Sequence, residues 1–264
     1  MSFVGLPSLF AEADEVHISV SFSWDLPDAE KLEKEWRQVA PVKIGGPATG
    51  QRGENFIPGL YLKKGYVITS RGCPNKCWFC NVWKREGNVR ELPIADGWNV
   101  LDDNLLACSD AHVNSVFLML ARQKQRPLFT GGLEAARLKP WHIGRLAELN
   151  PKALYFAYDG PEDREPLYEA GKLLRQAGLK ACHPLRAYVL IGYRGDTFQK
   201  AEARLKDCMK AGFYPMAMLY RSESEAPDPE WVRFAWPWAR PAIVYSKYKN
   251  MAEANEAKEL SYEQ

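Results

Sequence analysis

The chain is poor in the residues from which most metal sites and disulfide frameworks are built, with four histidines and six cysteines among 264 residues. Cys108, Cys182 and Cys208 stand singly, with no second CxxC and no histidine at zinc spacing beside them, so they read as small buried hydrophobes and exclude an auxiliary cluster. No apolar run is long enough to span a bilayer, and residues 1–10 lack the basic region and apolar core of a signal peptide. The expectation is a cytoplasmic, reducing setting with no membrane partner, which argues against a secreted disulfide framework. An excess of one charge is missing too: a net +2 gives no global field for gathering nucleic acid or an anionic membrane, and leaves only a local basic patch for that purpose. What the chain does have is 46% hydrophobic residues, enough to bury a full core as one large domain or one domain with an appendage.

The remaining three cysteines are crowded into Gly72-Cys73-Pro74-Asn75-Lys76-Cys77-Trp78-Phe79-Cys80. By itself this run is half a zinc ribbon, half a disulfide knot, a redox loop, or three ligands of one metal centre. Structural zinc and ordinary ferredoxin clusters take four protein ligands, whereas a [4Fe–4S] cube held by three thiolates leaves one iron open to a small molecule. The CxxxCxxC spacing, the aromatic Phe79 directly before Cys80 and the apolar run at 67–70 together resemble the cluster motif of the radical S-adenosylmethionine (SAM) superfamily. The resemblance implies that Cys73, Cys77 and Cys80 ligate a [4Fe–4S] cluster whose open iron chelates SAM, with Phe79 beside the adenine. It also implies an electron donor such as flavodoxin or ferredoxin, and a 5′-deoxyadenosyl radical that abstracts hydrogen from a substrate.

Strand-like and helix-like segments alternate after the cysteines, the pattern of parallel β/α units. Strands are expected at 66–70, 98–101, 127–130, 153–158, 185–192 and 214–220, with helices at 111–123, 140–149, 166–177 and 197–211. Val113, Phe117 and Leu120 mark one helix face, and Gly178 and Gly212 stop two of the helices. Six strands match the open (β/α)6 barrel of radical SAM enzymes, and the expected fold class is α/β: a partial, TIM-like barrel with its chemistry at the strand ends. The resemblance covers roughly 66–220.

Those strand ends supply the remaining site candidates. Ile191-Gly192-Tyr193-Arg194-Gly195-Asp196-Thr197 looks like the IGxPGET-type segment of the subgroup that includes methylthiotransferases and cobalamin-dependent members, with Arg194 in place of the proline and Asp196 in place of the glutamate. Asp196 reads either as the N-cap of the next helix, with Gln199 as its partner, or as cap and SAM contact together. Asp102-Asp103-Asn104 stands where many members carry a GGE motif for the methionyl ammonium; Asp103 is the candidate there, although such a turn is also an ordinary helix start. Gly131 and Gly132 permit close backbone approach, and Arg137 is placed to clamp a methionyl carboxylate. Tyr158, followed by Asp159, is assigned to the barrel mouth, near ribose or substrate. Arg71, Lys76 and Lys84 are read either as balancing the cluster's charge or as solvated surface.

The flanks complete the domain reading: 1–58 as a βαβ-like appendage and linker, 59–222 as the barrel, and 223–264 as an aromatic and polar extension. The appendage resembles the end of the cobalamin-binding domain of relatives, but no DxHxxG motif is present, since Asp14 and His17 have the wrong spacing, and no cobalamin is expected. Trp231, Phe234, Trp236 and Trp238, interleaved with Arg233 and Arg240, either stack nucleobases or dock a terminal helix across the barrel bottom. The functional expectation is a radical SAM enzyme acting on an unidentified nucleotide or nucleic acid. A peptide- or small-molecule-modifying member, and a nonenzymatic iron-sulfur or zinc module, are the alternatives.

Overall fold

The computed structural model describes residues 5–50, 62–180, 184–222, 226–240, 242–247 and 249. The expected linker at 47–58 and the single Cys182 lie largely or wholly outside that set.

The first unit is strand β1 (Val16–Ser19), helix α1 (Leu26–Trp36) and strand β2 (Val42–Gly45), with the two strands parallel. Ala29 and Trp36 are the buried residues of α1, and the Trp36 indole donates to the Gly5 carbonyl at 3.0 Å. His17 is occupied by Glu15, which also pairs with Lys43.

The second unit begins with β3 (Tyr66–Val67) and a small hairpin, β4 (Ser70–Arg71) antiparallel to β5 (Arg90–Glu91), which encloses the cysteine loop and the one-turn helix α2 (Val82–Arg85). There follow β6 (Asn99–Val100), α3 (Asp110–Ala121), β7 (Leu128–Leu133), α4 (Pro140–Leu149), β8 (Ala153–Tyr158), α5 (Arg164–Gln176), β9 (Leu185–Ile191), α6 (Phe198–Lys210), β10 (Tyr214–Leu219) and α7 (Pro229–Trp238). Six strands form one sheet in the order β3-β6-β7-β8-β9-β10, every neighbouring pair parallel. A sheet whose strands follow in sequence order through right-handed crossovers carries all its helices on one face. That winding is consistent with a partial TIM-like barrel, in which the helices lie outside and the opposite face of the sheet lies inside.

The helix-side face holds the core. Phe117 of α3 meets Phe129 of β7 edge to face at 6.1 Å, and Phe156 of β8 meets Phe213 at 5.2 Å. Leu154, Leu167, Leu174, Leu185, Val189 and Leu205 are fully enclosed between them. Burying each such side chain is worth about 1.5–3 kcal/mol, which fixes the register because a slip of one residue turns these positions to the other face.

Three departures from the sequence reading have physical causes. The first strand ends at Val67 because Thr69 and Ser70 turn away to bond Asp102, and Ser70 then begins the hairpin. The third strand continues through Gly131 and Gly132 to Leu133, with an irregularity in register between Phe129 and Leu133. The aromatic tail is the helix that follows the sixth strand of the sheet, α7: Trp231 and Phe234 pack on Phe198 at 4.5 and 5.2 Å, and Trp238 is buried. It thus flanks β10 and the start of α6 instead of crossing the barrel bottom, and most of its rings serve packing. Trp236 alone among its aromatics stays largely exposed, with the Arg240 guanidinium 3.8 Å above its ring.

Candidate functional site

The hairpin lifts Cys73, Cys77 and Cys80 to the C-terminal ends of the strands, all three partly exposed. Gly72 opens the loop at φ +90°, and a Cβ there would stand 2.3 Å from the Asn88 carbonyl oxygen, so only glycine fits. The Cys73 N–H donates to the Gly87 carbonyl at 3.1 Å, the Cys80 N–H to the Cys77 carbonyl at 3.2 Å, and the Trp83 indole to the same Cys77 oxygen at 2.9 Å. Two further donors address sulfur: Asn104 Nδ2 lies 3.4 Å from Cys73 Sγ and the Val82 N–H 3.5 Å from Cys80 Sγ. Burial pushes the Cys77 thiol up to about 11, with the neighbouring Cys80 and Cys73 and then Asp159 and Asp163 adding to the rise. Burial likewise raises Cys80. The three thiols therefore share one electrostatic environment facing the strand ends.

Among the described residues no three His, Cys, Asp or Glu side chains converge on a single ion. A cube engages three thiolates through three different irons, so convergence on one point is not what it requires. Three thiols in one rigid loop, with amide donors aimed at two of the sulfurs, fit such a cluster.

Asp102 lies beneath this loop, 1% exposed, accepting from the Thr69 N–H at 2.6 Å, the Thr69 hydroxyl at 2.5 Å and the Ser70 hydroxyl at 2.7 Å. Burial raises its pKa against these bonds. Asp103 accepts from the Gly72 N–H at 2.9 Å and from Arg71 at 3.2 Å, so both charges are used to tie the loop to β6. Asn104, buried, bridges Cys73 and Glu134, with 2.7 Å to the carboxylate; Arg137 pairs with that same carboxylate at 2.6 Å. Arg137 is thus engaged within the protein, and Asp103 anchors the loop.

Gly131 has a reason independent of any ligand: a Cβ there would lie 2.2 Å from the Asp102 carbonyl oxygen, because β7 passes against the 101–102 backbone. Gly132 has open space beside it. Tyr158 corrects the sequence reading. Side chains alternate along a strand, and this one falls on the helix side, 3% exposed in the core, with burial as the first cause of a pKa raised to about 12. The residue facing inward at that strand end is Asp159.

Asp159 accepts from the Leu190 N–H at 3.2 Å, and desolvation, reinforced by Asp163, raises its pKa to about 7. The unfolded chain ionises this carboxyl near 3.8. The native state therefore holds the proton more tightly, and stability falls as pH rises from about 4 to about 7. In cluster-free protein, Asp159→Asn is expected to gain about 2–3 kcal/mol more over the native chain at pH 8 than at pH 5, read by urea unfolding at both pH values. Parallel pH dependences in the two proteins would contradict this assignment.

Asp196 also departs from its expected role. Thr197 caps α6, accepting from the Lys200 N–H at 3.2 Å. Asp196 instead has a fully buried side chain that accepts from the Gly192 N–H at 2.9 Å and pairs with Arg204 at 2.7 Å, closing the 192–196 turn from inside. Leu219 and Trp231 crowd the position a Gly192 side chain would take. Above this turn Trp78, 57% exposed, meets Phe79, Tyr193 and Tyr220 at centroid distances of 5.4, 5.6 and 5.3 Å, bracing the cysteine loop against the ends of β9 and β10.

The residues that sequence reasoning passed over are Glu134 and Arg204, and Asn104, named only as part of the acidic turn, gains its contacts with Cys73 and Glu134 from the fold. Their signals were weak: an amide at the end of an acidic turn, and an arginine one helical face away from Asp196. Only the fold brings them to sulfur or carboxylate.

The fold and loop define a singly wound, six-stranded parallel sheet bearing a three-thiol loop at its C-terminal edge. Among solved structures, the chain is similar to a radical S-adenosylmethionine methyltransferase, TsrM, from Kitasatospora setae, determined with cobalamin and a [4Fe-4S] cluster bound. The TM-score is 0.58 at 13% identity over 80% of this chain, and the chain spans 64% of that neighbour's length. The likeness is one of fold. No family model and no curated protein matches the sequence.

Proposed function

We propose that the protein is a radical SAM enzyme. The observation that supports this best is the placing of Cys73, Cys77 and Cys80 in one braced loop at the C-terminal ends of the sheet, with amide donors on the sulfurs of Cys73 and Cys80. When bound, the cluster supplies the electron that cleaves SAM to methionine and a 5′-deoxyadenosyl radical. The chain's part is to hold three irons, leave one open, and orient SAM over the inner face of the sheet. Phe79, Gly132, Arg137 and Gly192 form the SAM-facing surface in this reading, while Gly131, Asp103 and Asp196 shape it through the backbone positions they hold. Asn104 and Val82 donate to sulfur and thereby stabilise thiolate charge. The electron comes from a small reducing protein of the flavodoxin or ferredoxin kind, and the substrate class proposed is a nucleotide or nucleic acid.

The test is anaerobic reconstitution followed by a strong reductant and SAM. About one [4Fe–4S] cluster per chain is expected, with slow formation of 5′-deoxyadenosine and methionine even without substrate. Added cobalamin is expected neither to bind nor to accelerate this, because the appendage lacks the cobalamin motif. Stoichiometric zinc without iron, and failure to reconstitute, would overturn the reading; tight cobalamin binding would overturn only its last part.

A further inference from the structure

The face of the sheet that carries no helix is polar and aromatic in its lower half. Along β8 and β9 the residues Tyr155, Ala157, Arg186 and Tyr188 alternate with Leu154, Phe156, Ala187 and Val189, which are fully enclosed against the helices. Arg186 is the register partner of Tyr155 on one side and of Tyr214 on the other. Its Nη1 donates to the Tyr155 hydroxyl at 2.9 Å, and its guanidinium carbon lies 5.4 Å from the Tyr155 ring centroid and 5.8 Å from that of Tyr214. Tyr155 stacks on Tyr188 at 4.8 Å, the Tyr188 hydroxyl donates to the Thr130 carbonyl at 3.2 Å, and the Thr130 hydroxyl donates to Asn99 at 2.6 Å. The guanidinium is thereby held in place by a network that crosses the sheet from β10 to β6.

Of the other arginines of the barrel, Arg126 and Arg175 donate to backbone carbonyls, and several meet carboxylates: Arg71 with Asp103, Arg137 with Glu134, Arg164 with Asp207 and Arg204 with Asp196. Among the described residues Arg186 meets none; its contacts are a hydroxyl and two ring faces. A half-buried guanidinium without a counter-ion is costly, and rings that fix its plane orient its remaining N–H donors for a planar or tetrahedral anion. We infer that Arg186 is the floor of the substrate pocket and that the substrate carries a terminal carboxylate or phosphate. The inference deepens the enzyme reading above by giving its substrate a charge and a length.

The length follows from the strands. Four steps along β8 separate Tyr155 from Asp159 at the strand end, a rise of roughly 13 Å. The anion binds at that depth below the cysteine loop, and Ala157, Leu190 and Met216 on the same inner face meet the uncharged body between. A phosphate inside a duplex cannot descend so far past a strand rim, whereas a free nucleotide, a carboxylic acid or a chain end can. The pocket therefore narrows the nucleic-acid reading to free nucleotides or termini.

Phenylglyoxal labelling of the reconstituted, unmutated protein, read by peptide mass spectrometry, tests this with phenyl phosphate, benzoate and neutral benzyl alcohol as probes. Arg186 is expected to be labelled in their absence and protected at least tenfold by millimolar phenyl phosphate or benzoate, while benzyl alcohol and equal chloride leave it reactive and exposed Arg194 is labelled throughout. The anion that protects at lower concentration tells phosphate from carboxylate. In Arg186→Met, binding of that anion, followed by proton NMR line broadening, is expected to weaken at least tenfold. Absence of labelling, equal protection by the neutral probe, or unchanged binding in the variant would each overturn the proposal and make Arg186 a structural plug. The labelling needs no variant, so misfolding of Arg186→Met leaves the test standing. SAM cleavage in the same preparation separates the two readings: protection without cleavage sinks the enzyme reading alone, and cleavage without protection sinks this one alone.

Discussion

Alanine at any one of Cys73, Cys77 and Cys80 is expected to abolish the cluster and SAM cleavage together, whereas Cys108→Ala and Cys208→Ala retain both. A cube bound by three thiolates has no spare protein ligand, so one deletion leaves two irons without protein and the assembly is lost. Cys108 is spatially a different case: it lies by Ser70 and Asp102, outside the loop that carries the other three thiols. Cys208 is fully enclosed in α6. Iron and sulfide analysis with the visible absorption of each reconstituted variant provides the measurement. Full iron content in Cys77→Ala, or its loss in Cys108→Ala, would show that the loop is not the ligand set. Circular dichroism of the cluster-free variants checks that the hairpin still forms, since the backbone bonds that shape it use none of the sulfurs.

Arg204→Met is expected to cost about 3–5 kcal/mol of unfolding free energy, because it breaks a buried ion pair. Asp196 has no side-chain exposure and Arg204 only 11%, so removing the arginine leaves a carboxylate that solvent cannot reach. The guanidinium also donates to the Leu190 carbonyl at 2.9 Å, so the end of β9 loosens with it. Asp196→Ala is expected to cost less, because it removes the buried charge as well as its bonds. The double variant Arg204→Met with Asp196→Leu is expected to recover part of the loss. Urea unfolding of cluster-free protein reads all three. A loss below about 1 kcal/mol in Arg204→Met would place the pair among ordinary surface ion pairs. SAM titration of the reconstituted variants then separates the pair's effect on the fold from any effect on the 192–196 turn that faces the site.

The alternation of strands and helices was legible because 153–158 and 185–191 are short, largely apolar runs, as expected of parallel strands covered on both faces, whereas 140–149 spaces its buried residues at a helical period. The terminal helix α7 was legible as one of two alternatives, but its place beside β10 was not, since a Pro-containing, Trp-rich segment satisfies packing and base stacking equally well until its neighbours are known. Tyr158 and Asp196 were misplaced for a related reason. A residue at a strand end has two faces open to it, and the choice is made by parity along the strand and by a partner, Arg204, eight residues away on another element.

The sequence by itself determined the three-thiol loop, since CxxxCxxC is a local arrangement within one turn of chain, and it determined the six parallel units, since hydrophobic periodicity is local too. The tertiary structure alone decided which charges remain available. Asp103, Arg137 and Asp196 look like free ligands in a linear reading and are bound to Gly72, Glu134 and Arg204 in the fold, while Arg186, unremarked in the sequence, meets no carboxylate among the described residues on the inner face. The Asp103 contact joins residues 31 positions apart, while Arg137 and Asp196 find partners three and eight positions away, so what decides each pairing is the direction the folded backbone gives the side chains.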